Sequence, residues 1–283
     1  MRKGEVRRVS PQKNDQIFSG KHVLITGGTS GIGRALAIRA SKCGARVSIL
    51  ARDDRLIAEI QDLIPGVHAV GVEVQDRNAV GKAVDACVLR HGNVNFLFAS
   101  AGIVFPAAFS KLSDDDFLSQ TEVNYLGTLW AVRSVLPGMQ KDGAGEIVLM
   151  SSLAGHLGVF GYGAYGPSKY AIRGLFETLR VELAPVGVKA FCVFPPDVKT
   201  PMLAEEERHK PDELRAMGGP PAITADMVVD AIIKGVSRNR PRIFIGFHSK
   251  FIAKAAALLP GLVDAVVDRD IRKAQLQSAG SGR

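Results

Sequence analysis

Four glycines fall within seven residues in the stretch Thr26-Gly27-Gly28-Thr29-Ser30-Gly31-Ile32-Gly33. An apolar, β-branched run at 22–26 precedes it. Residues 32–43 carry a helical pattern after it, and Gly44 suits the helix stop. A strand that turns this sharply into a helix needs residues without a Cβ. Such a turn also aims backbone N–H groups and the positive end of a helix at whatever sits above it, which suits a pyrophosphate. A plain tight turn explains one or two glycines but not four, so an α/β fold opening on a phosphate-binding turn is expected.

The rest of the chain repeats the alternation. Strands are expected at 46–50, 67–74, 96–98, 146–151, 188–194 and 242–245. Helices are expected at 54–63, 77–91, within 114–140, at 162–184 and at 224–239. Strand–helix alternation implies parallel strands with crossover helices. The expected architecture is a Rossmann-type doubly wound parallel sheet of about seven strands with helices on both faces. Residues 1–18 read as a flexible basic arm, 19–246 as a single domain, and 247–283 as a helical extension with a loose tail.

Charge and cysteine usage narrow the classes. The net charge is +8, but Arg2, Lys3, Arg7 and Arg8 crowd the N-terminus. Aromatic residues make up only 6%, and no recognition motif for nucleic acid is present. Cys43, Cys87 and Cys192 match no metal or redox spacing, so buried reduced thiols and no metal site are expected. Residues 1–22 lack the apolar stretch of a secretory signal. The most apolar C-terminal run, 251–267, is interrupted by Lys254, Pro260 and Asp264. A cytoplasmic protein is the expectation.

Selection between dinucleotides falls at the end of the second strand. An acidic residue there would bind the ribose 2′-hydroxyl and favour NAD. Here Ala51 is followed by Arg52, whose planar fork suits a 2′-phosphate, with Ser30 and Arg34 nearby. Asp53 is the rival, and its competing role is to cap the next helix. NADP(H) is expected.

Tyr165 and Lys169 stand four apart, on one face if the segment is helical. A nearby ammonium would lower the tyrosine pKa and make it an acid or base near neutrality. Ser152 ends the fifth strand, at the carboxyl edge where such sheets bind ligands, 13 residues before Tyr165. Asn124 is a polar residue amid Val123, Tyr125 and Leu126, which a buried hydrogen bond to backbone would also explain.

Together with the glycine turn, Asn124, Ser152, Tyr165 and Lys169 resemble the short-chain dehydrogenase/reductase family over about residues 20–240. The resemblance implies that Tyr165 exchanges a proton with the substrate oxygen and that Ser152 polarises it. It implies that Lys169 holds the nicotinamide ribose and that Asn124 anchors a water of a proton relay. It places cofactor contacts at Gly27, Thr29, Ser30, Gly31, Ile32, Gly33, Arg52, Glu73, Val74, Ser100, Ala101, Gly102, Val198 and Thr200, besides Tyr165 and Lys169. Two positions depart from the family pattern: Ser100 stands where asparagine is usual, and Glu73 where aspartate is.

The run Pro195-Pro196-Asp197-Val198-Lys199-Thr200-Pro201, with 169–175, resembles the branch of the family that reduces 3-ketodihydrosphingosine. That implies a lipid-like carbonyl substrate and a lid at 202–219 with Gly218 and Gly219 as hinges. Ile103, Val104, Phe105, Leu153, Leu157, Val159 and Phe160 are candidates for apolar walls. Rival activities on the same fold are 3-oxoacyl-thioester reduction and hydroxysteroid or retinol oxidation, and a different class is a non-catalytic nucleotide sensor. The resemblance also implies a homodimer or homotetramer, with Leu118, Trp130, Phe176 and Leu183 offered on outer helix faces. The C-terminal helix, with Phe251 and Leu258 beside Lys250 and Lys254, could meet a membrane surface or a partner subunit.

Overall fold

The computed structural model describes residues 13–217 and 220–280. Among them a single seven-stranded sheet forms the frame, in the order β3-β2-β1-β4-β5-β6-β7 with every pairing parallel. The strands are β1 His22–Thr26, β2 Arg46–Ala51, β3 His68–Gly71, β4 Phe96–Ala99, β5 Gly145–Met150, β6 Val188–Phe194 and β7 Arg242–Phe244. Side chains alternate between two cores. Val23, Ile25, Phe96 and Phe98 face α1 (Gly31–Lys42), α2 (Asp54–Leu63) and α9 (Ala225–Ser237). Leu24, Leu97, Ile147 and Leu149 face α3 (Arg77–His91), α5 (Gly127–Asp142) and α6 (Tyr165–Leu183). Burial on both faces is why these strands read as continuous apolar runs. β1 pairs with both β2 and β4, so the chain reverses its winding between β1 and β4, where such folds open a crevice at the strands' carboxyl ends.

Several expected elements change shape. The single helix within 114–140 is α4 (Asp114–Thr121), a π-helical turn over Glu122–Leu126, and then α5. Ser113 and Asp116 form a capping box at the start of α4. At Gly127 any Cβ would meet Val74 Cγ2 at 2.7 Å, so a glycine lets the helix lie against the strand-end loop. β3 is shorter than 67–74, because it is the sheet's edge and loses its partner after Gly71.

The arm expected over 1–18 is ordered at its end. Lys13–Phe18 is a 3-10 turn, and Phe18 is fully buried, edge-on to Phe96 at 5.2 Å and Phe98 at 5.9 Å. Burial of an aromatic of that size offsets part of the entropy lost in ordering the segment. The basic cluster at residues 2–8 lies outside the described residues. The C-terminal extension is two helices, α10 (Gly246–Leu258) and α11 (Pro260–Gly280). Pro260 ends one and opens the other, since proline suits a first helical turn and no interior one. The helix runs on through Ser278 to Gly280, in place of the expected loose tail. Two short helices, α7 (Pro201–His209) and α8 (Asp212–Met217), follow β6, and α8 lies against α11.

At the opposite end of the sheet His22 is fully buried. Its Nδ1 donates to the Gly92 carbonyl at 2.7 Å, and its Nε2 accepts from the Ser48 hydroxyl at 2.9 Å. Burial pulls its pKa down from 6.5 to about 4. Between those values the unfolded chain binds a proton that the folded chain refuses, so stability rises with pH across the window and falls on acidification. The loss from this one residue approaches about 3 kcal/mol at the acid end. Thermal midpoints measured from pH 7 to pH 4 should fall less steeply for His22→Gln than for the parent protein; equal slopes would overturn the assignment.

Candidate active site

A cavity of about 750 Å³ opens at the carboxyl ends of the strands. Its wall begins at the glycine turn, with Gly27, Ser30, Gly31 and Ile32 lining it. Gly27 and Gly31 take φ of +69° and +52°, which side chains resist. A Cβ on Gly33 would lie 2.3 Å from the Gly27 carbonyl oxygen, and one on Gly27 would lie 2.8 Å from Ala101 Cα. The turn is thus packed against itself and the β4 loop. The Ser30 N-cap side chain makes no capping bond, so it leaves the first N–H groups of α1 to a ligand. The donor set fits a dinucleotide pyrophosphate. Thr200 caps α7 by accepting from Leu203 N at 3.3 Å, and its Cγ2 comes within 3.1 Å of a Cβ placed on Gly31. This brings the β6 loop onto the glycine turn.

The loop after β4 is hung from β1. Thr26 Oγ1 accepts from the N–H groups of Ser100 and Ala101, both at 3.1 Å. Ser100, Ala101 and Gly102 line the cavity. Asn124, fully buried in the π-helical turn, brackets the next residue: its Oδ1 accepts from Ile103 N at 2.8 Å, and its Nδ2 donates to Ile103 O at 3.0 Å. Nδ2 also donates to Ser168 Oγ at 3.0 Å. The side chain of Asn124 is therefore committed to holding the β4 loop against α6, and Thr128 Oγ1 occupies its carbonyl at 2.8 Å.

Ser152, Tyr165 and Lys169 all line the cavity. Ser152 begins a short 3-10 turn after β5, and its Oγ accepts from Ala154 N at 3.2 Å. α6 starts at Tyr165, three residues later than expected, so tyrosine and lysine occupy its first turns. Ser151 Oγ donates to the Lys169 carbonyl at 2.8 Å, and Gly155 is forced by the same contact: a Cβ there would sit 2.9 Å from that carbonyl oxygen. β5 and α6 are thereby locked in register across the site.

The expected lowering of the tyrosine pKa by lysine is not what the structure holds. Burial pushes the Tyr165 hydroxyl above its ordinary value of 10, and a hydrogen bond with the Ser152 hydroxyl opposes this. The Lys169 ammonium turns to the Met150 carbonyl at 3.1 Å and lies 5.5 Å from the Tyr165 ring centroid. Burial pulls Lys169 itself down to about 8. Without a hydroxyl-to-ammonium contact, the desolvation of the phenolate decides the direction.

A second polar group has no counterpart among the expected site residues. Tyr162 Oη donates to Glu206 of α7, and the Tyr162 ring meets that of Tyr165 edge-on at 5.2 Å. Glu206 is buried and lies 3.7 Å from Lys210, which also contacts Glu207 at 2.8 Å. Burial raises the Glu206 carboxyl above the ordinary range. The run Glu205-Glu206-Glu207 reads as an exposed lid, but Leu203 and Glu206 are three apart and share the helix face turned to the cavity. That spacing is the signal the sequence offers. Asp197, between Pro196 and Val198, also lines the cavity, its loop held by pairing of Val198 with Ile223.

The remaining candidates divide between the cavity and positions away from it. Arg52 is exposed just past β2, while Asp53 caps α2 by accepting from Leu56 N at 3.0 Å, the competing role expected for it. Glu73 and Val74 follow β3, Glu73 exposed and Val74 buried against α5. Thr29 is buried within the glycine turn, and Val198 and Thr200 line the cavity. Of the apolar candidates, Leu153, Leu157 and Val159 line the main cavity. Leu157 and Val159 continue with Phe160 into an adjoining groove against α10 and α11. Ile103, Val104 and Phe105 line neither. Phe176 and Leu183 are buried in the sheet-facing core, because that stripe of α6 packs on β5 and β6, so neither is on an outer face.

The model of the short chain dehydrogenase family matches residues 21–211. The chain belongs to this family. Among its relatives, a 3-ketodihydrosphingosine reductase of Mus musculus is 38% identical over 228 residues, 75% of this chain and 69% of the mouse protein. A family structure from Burkholderia phymatum, solved in complex with NAD, has a TM-score of 0.78 at 26% identity and covers 87% of this chain and 95% of that one. ElxO with NADP bound has a TM-score of 0.71 at 27% identity, covering 80% and 96%. The chain is thus an oxidoreductase of a family whose members are seen with either nicotinamide dinucleotide.

Proposed function

We propose that the protein reduces 3-ketodihydrosphingosine to dihydrosphingosine with NADPH. When bound, the cofactor supplies a hydride to the carbonyl carbon. Tyr165 gives its proton to the carbonyl oxygen, Ser152 orients that oxygen, and the product is a secondary alcohol. A tyrosine hydroxyl held protonated by burial is suited to donating, the direction that reduction requires. Lys169 holds the nicotinamide ribose. Asn124 keeps the β4 loop and α6 in place, and its π-helical turn is the site for a relay water. Arg52 reads the 2′-phosphate. The reaction rests on the Ser152–Tyr165 hydroxyl pair facing the cavity, which a mere nucleotide sensor has no need to keep, and the substrate class on the mouse relative. NADPH oxidation assayed with 3-ketodihydrosphingosine, an acetoacetyl thioester and a ketosteroid tests it. The sphingoid ketone should give the highest kcat/KM; a higher value for either competitor would sink the proposal.

Collecting such a substrate calls for contact with a membrane surface. No helix among the described residues is long and apolar enough to cross one. α10 and α11 instead expose Phe247 at 84% and Leu258 at 76%, with Phe251 and Leu262, beside Lys250 and Lys254. Apolar insertion plus attraction of about 1 kcal/mol per basic residue fits reversible binding to anionic lipid. Co-sedimentation with phosphatidylserine vesicles should be strong at low salt, weaker at high salt, and reduced by Phe247→Ser/Phe251→Ser. Protein that ignores such vesicles at low salt would overturn this part alone. Oligomerisation through α4–α6 is the companion inference, carried by exposed Leu118 and Val181 on that side. Sedimentation velocity should show a dimer or tetramer at micromolar concentration, and a monomer would refute it.

A further inference from the structure

The substrate named above carries a protonated amine on the carbon next to its ketone. With the ketone oxygen at Ser152 and Tyr165, that ammonium must lie within a few ångströms of Tyr165. A group that recognises it therefore belongs in the wall beside the tyrosine. The charged side chains that line the cavity, apart from Lys169, are Asp197, Glu206, Glu207, Lys210 and Arg215. Those of the lid are matched among themselves: Lys210 lies 3.7 Å from Glu206 and 2.8 Å from Glu207, and Arg215 lies 3.6 Å from Glu207. Asp197 forms no direct salt bridge with any described residue, although its charge also acts on Lys210; it is exposed and lines the cavity.

We infer that Asp197 recognises the substrate ammonium and is the residue that selects an amino ketone over a neutral ketone. This rests on the sphingoid reading of the site. Its backbone is pinned from both sides. The Asp197 carbonyl accepts from Ile223 N at 3.0 Å, Lys199 N donates to Ile223 O at 2.8 Å, and Pro195 and Pro196 stiffen the approach. Burial is the main cause that raises the hydroxyls of Tyr162 and Tyr165, and the charges of Glu206 and then Asp197 add to it, so the Asp197 charge reaches the reacting centre. An unpaired carboxylate there is a liability for a neutral ketone, because it opposes the negative charge that develops on the carbonyl oxygen. An amino ketone brings the compensating cation with it. A 3-oxoacyl thioester or a ketosteroid does not.

The test compares a soluble short-chain 2-amino-1-hydroxy-3-ketone with the same ketone lacking the amine, using the full chain and NADPH. The parent enzyme should favour the amino ketone in kcat/KM by about ten- to a hundredfold, the range of one charge-assisted hydrogen bond. In Asp197→Asn that ratio should collapse toward one, whatever change both rates share, and Asp197→Glu should restore part of it. A parent enzyme with no preference overturns the inference without any variant. A preference that survives in Asp197→Asn overturns the assignment to this residue. If neither ketone is reduced while a thioester or steroid is, the sphingoid reading itself fails, and this inference with it.

Discussion

Tyr165→Phe should lower the rate of carbonyl reduction by about 10²–10⁴-fold, the usual contribution of a positioned proton donor. The ring survives in the variant, so its edge-on packing against Tyr162 at 5.2 Å survives too. Only the hydroxyl shared with Ser152 is lost. Cofactor affinity, followed by quenching of protein fluorescence or by calorimetry, should stay within a few-fold of the parent, because the glycine turn and Thr200 are untouched. The fall should appear in kcat as well as in kcat/KM, since proton donation is made only in the transition state. Because burial holds the parent tyrosine protonated beyond its ordinary value of 10, its own titration should not limit reduction anywhere near neutral pH. A Tyr165→Phe enzyme that turns over at a near-parental rate would remove the proton donor from the scheme.

The second large effect is expected at Arg52. The parent should bind NADPH more tightly than NADH by roughly tenfold to a hundredfold, the equivalent of one charge-assisted hydrogen bond at about 1.5–3 kcal/mol. Arg52→Asp should erase or reverse that preference. The geometry leaves the guanidinium at liberty: Arg52 is exposed past the end of β2 and pairs with no acid among the described residues. Its neighbour Asp53, the rival that would bind the ribose and favour NADH, uses one carboxylate oxygen to cap α2. Dissociation constants for both cofactors, measured with both proteins, decide the matter. Equal affinities in the parent would dismiss Arg52 as the reader of the phosphate.

Much of this is legible in the amino-acid sequence because two periodicities dominate the chain. Strands buried on both faces leave unbroken apolar runs such as 190–194, and the glycine turn cannot be built from other residues without the 2.3 Å clash at Gly33. What the sequence hides has a common cause, which is dependence on contacts made by distant segments. The π-helical turn at Glu122–Leu126 carries no local signature; it exists where Asn124 reaches Ile103 and Ser168. Phe18 reads as part of a polar arm until the aromatic pair on β4 is placed beneath it. The Tyr165 shift runs opposite to expectation because a four-residue spacing fixes a shared helix face, not the atom to which an ammonium turns. Glu206 looks like one of three solvated acids; its spacing from Leu203 hints at the cavity face, and the contact with Tyr162 sets it apart.

The matched family region stops at residue 211, one residue before α8 begins. Ser152, Tyr165 and Lys169 lie well inside it, whereas Leu214 of α8, Pro220 and Ala222 complete the cavity from beyond it, with α8 resting on α11. One wall of the cavity is therefore built from segments outside the matched region, while Leu153, Leu157, Val159 and Asp197 line it from within. Changes in α8 and at 220–222 can reshape one side of the cavity while leaving the proton donor and the glycine turn intact.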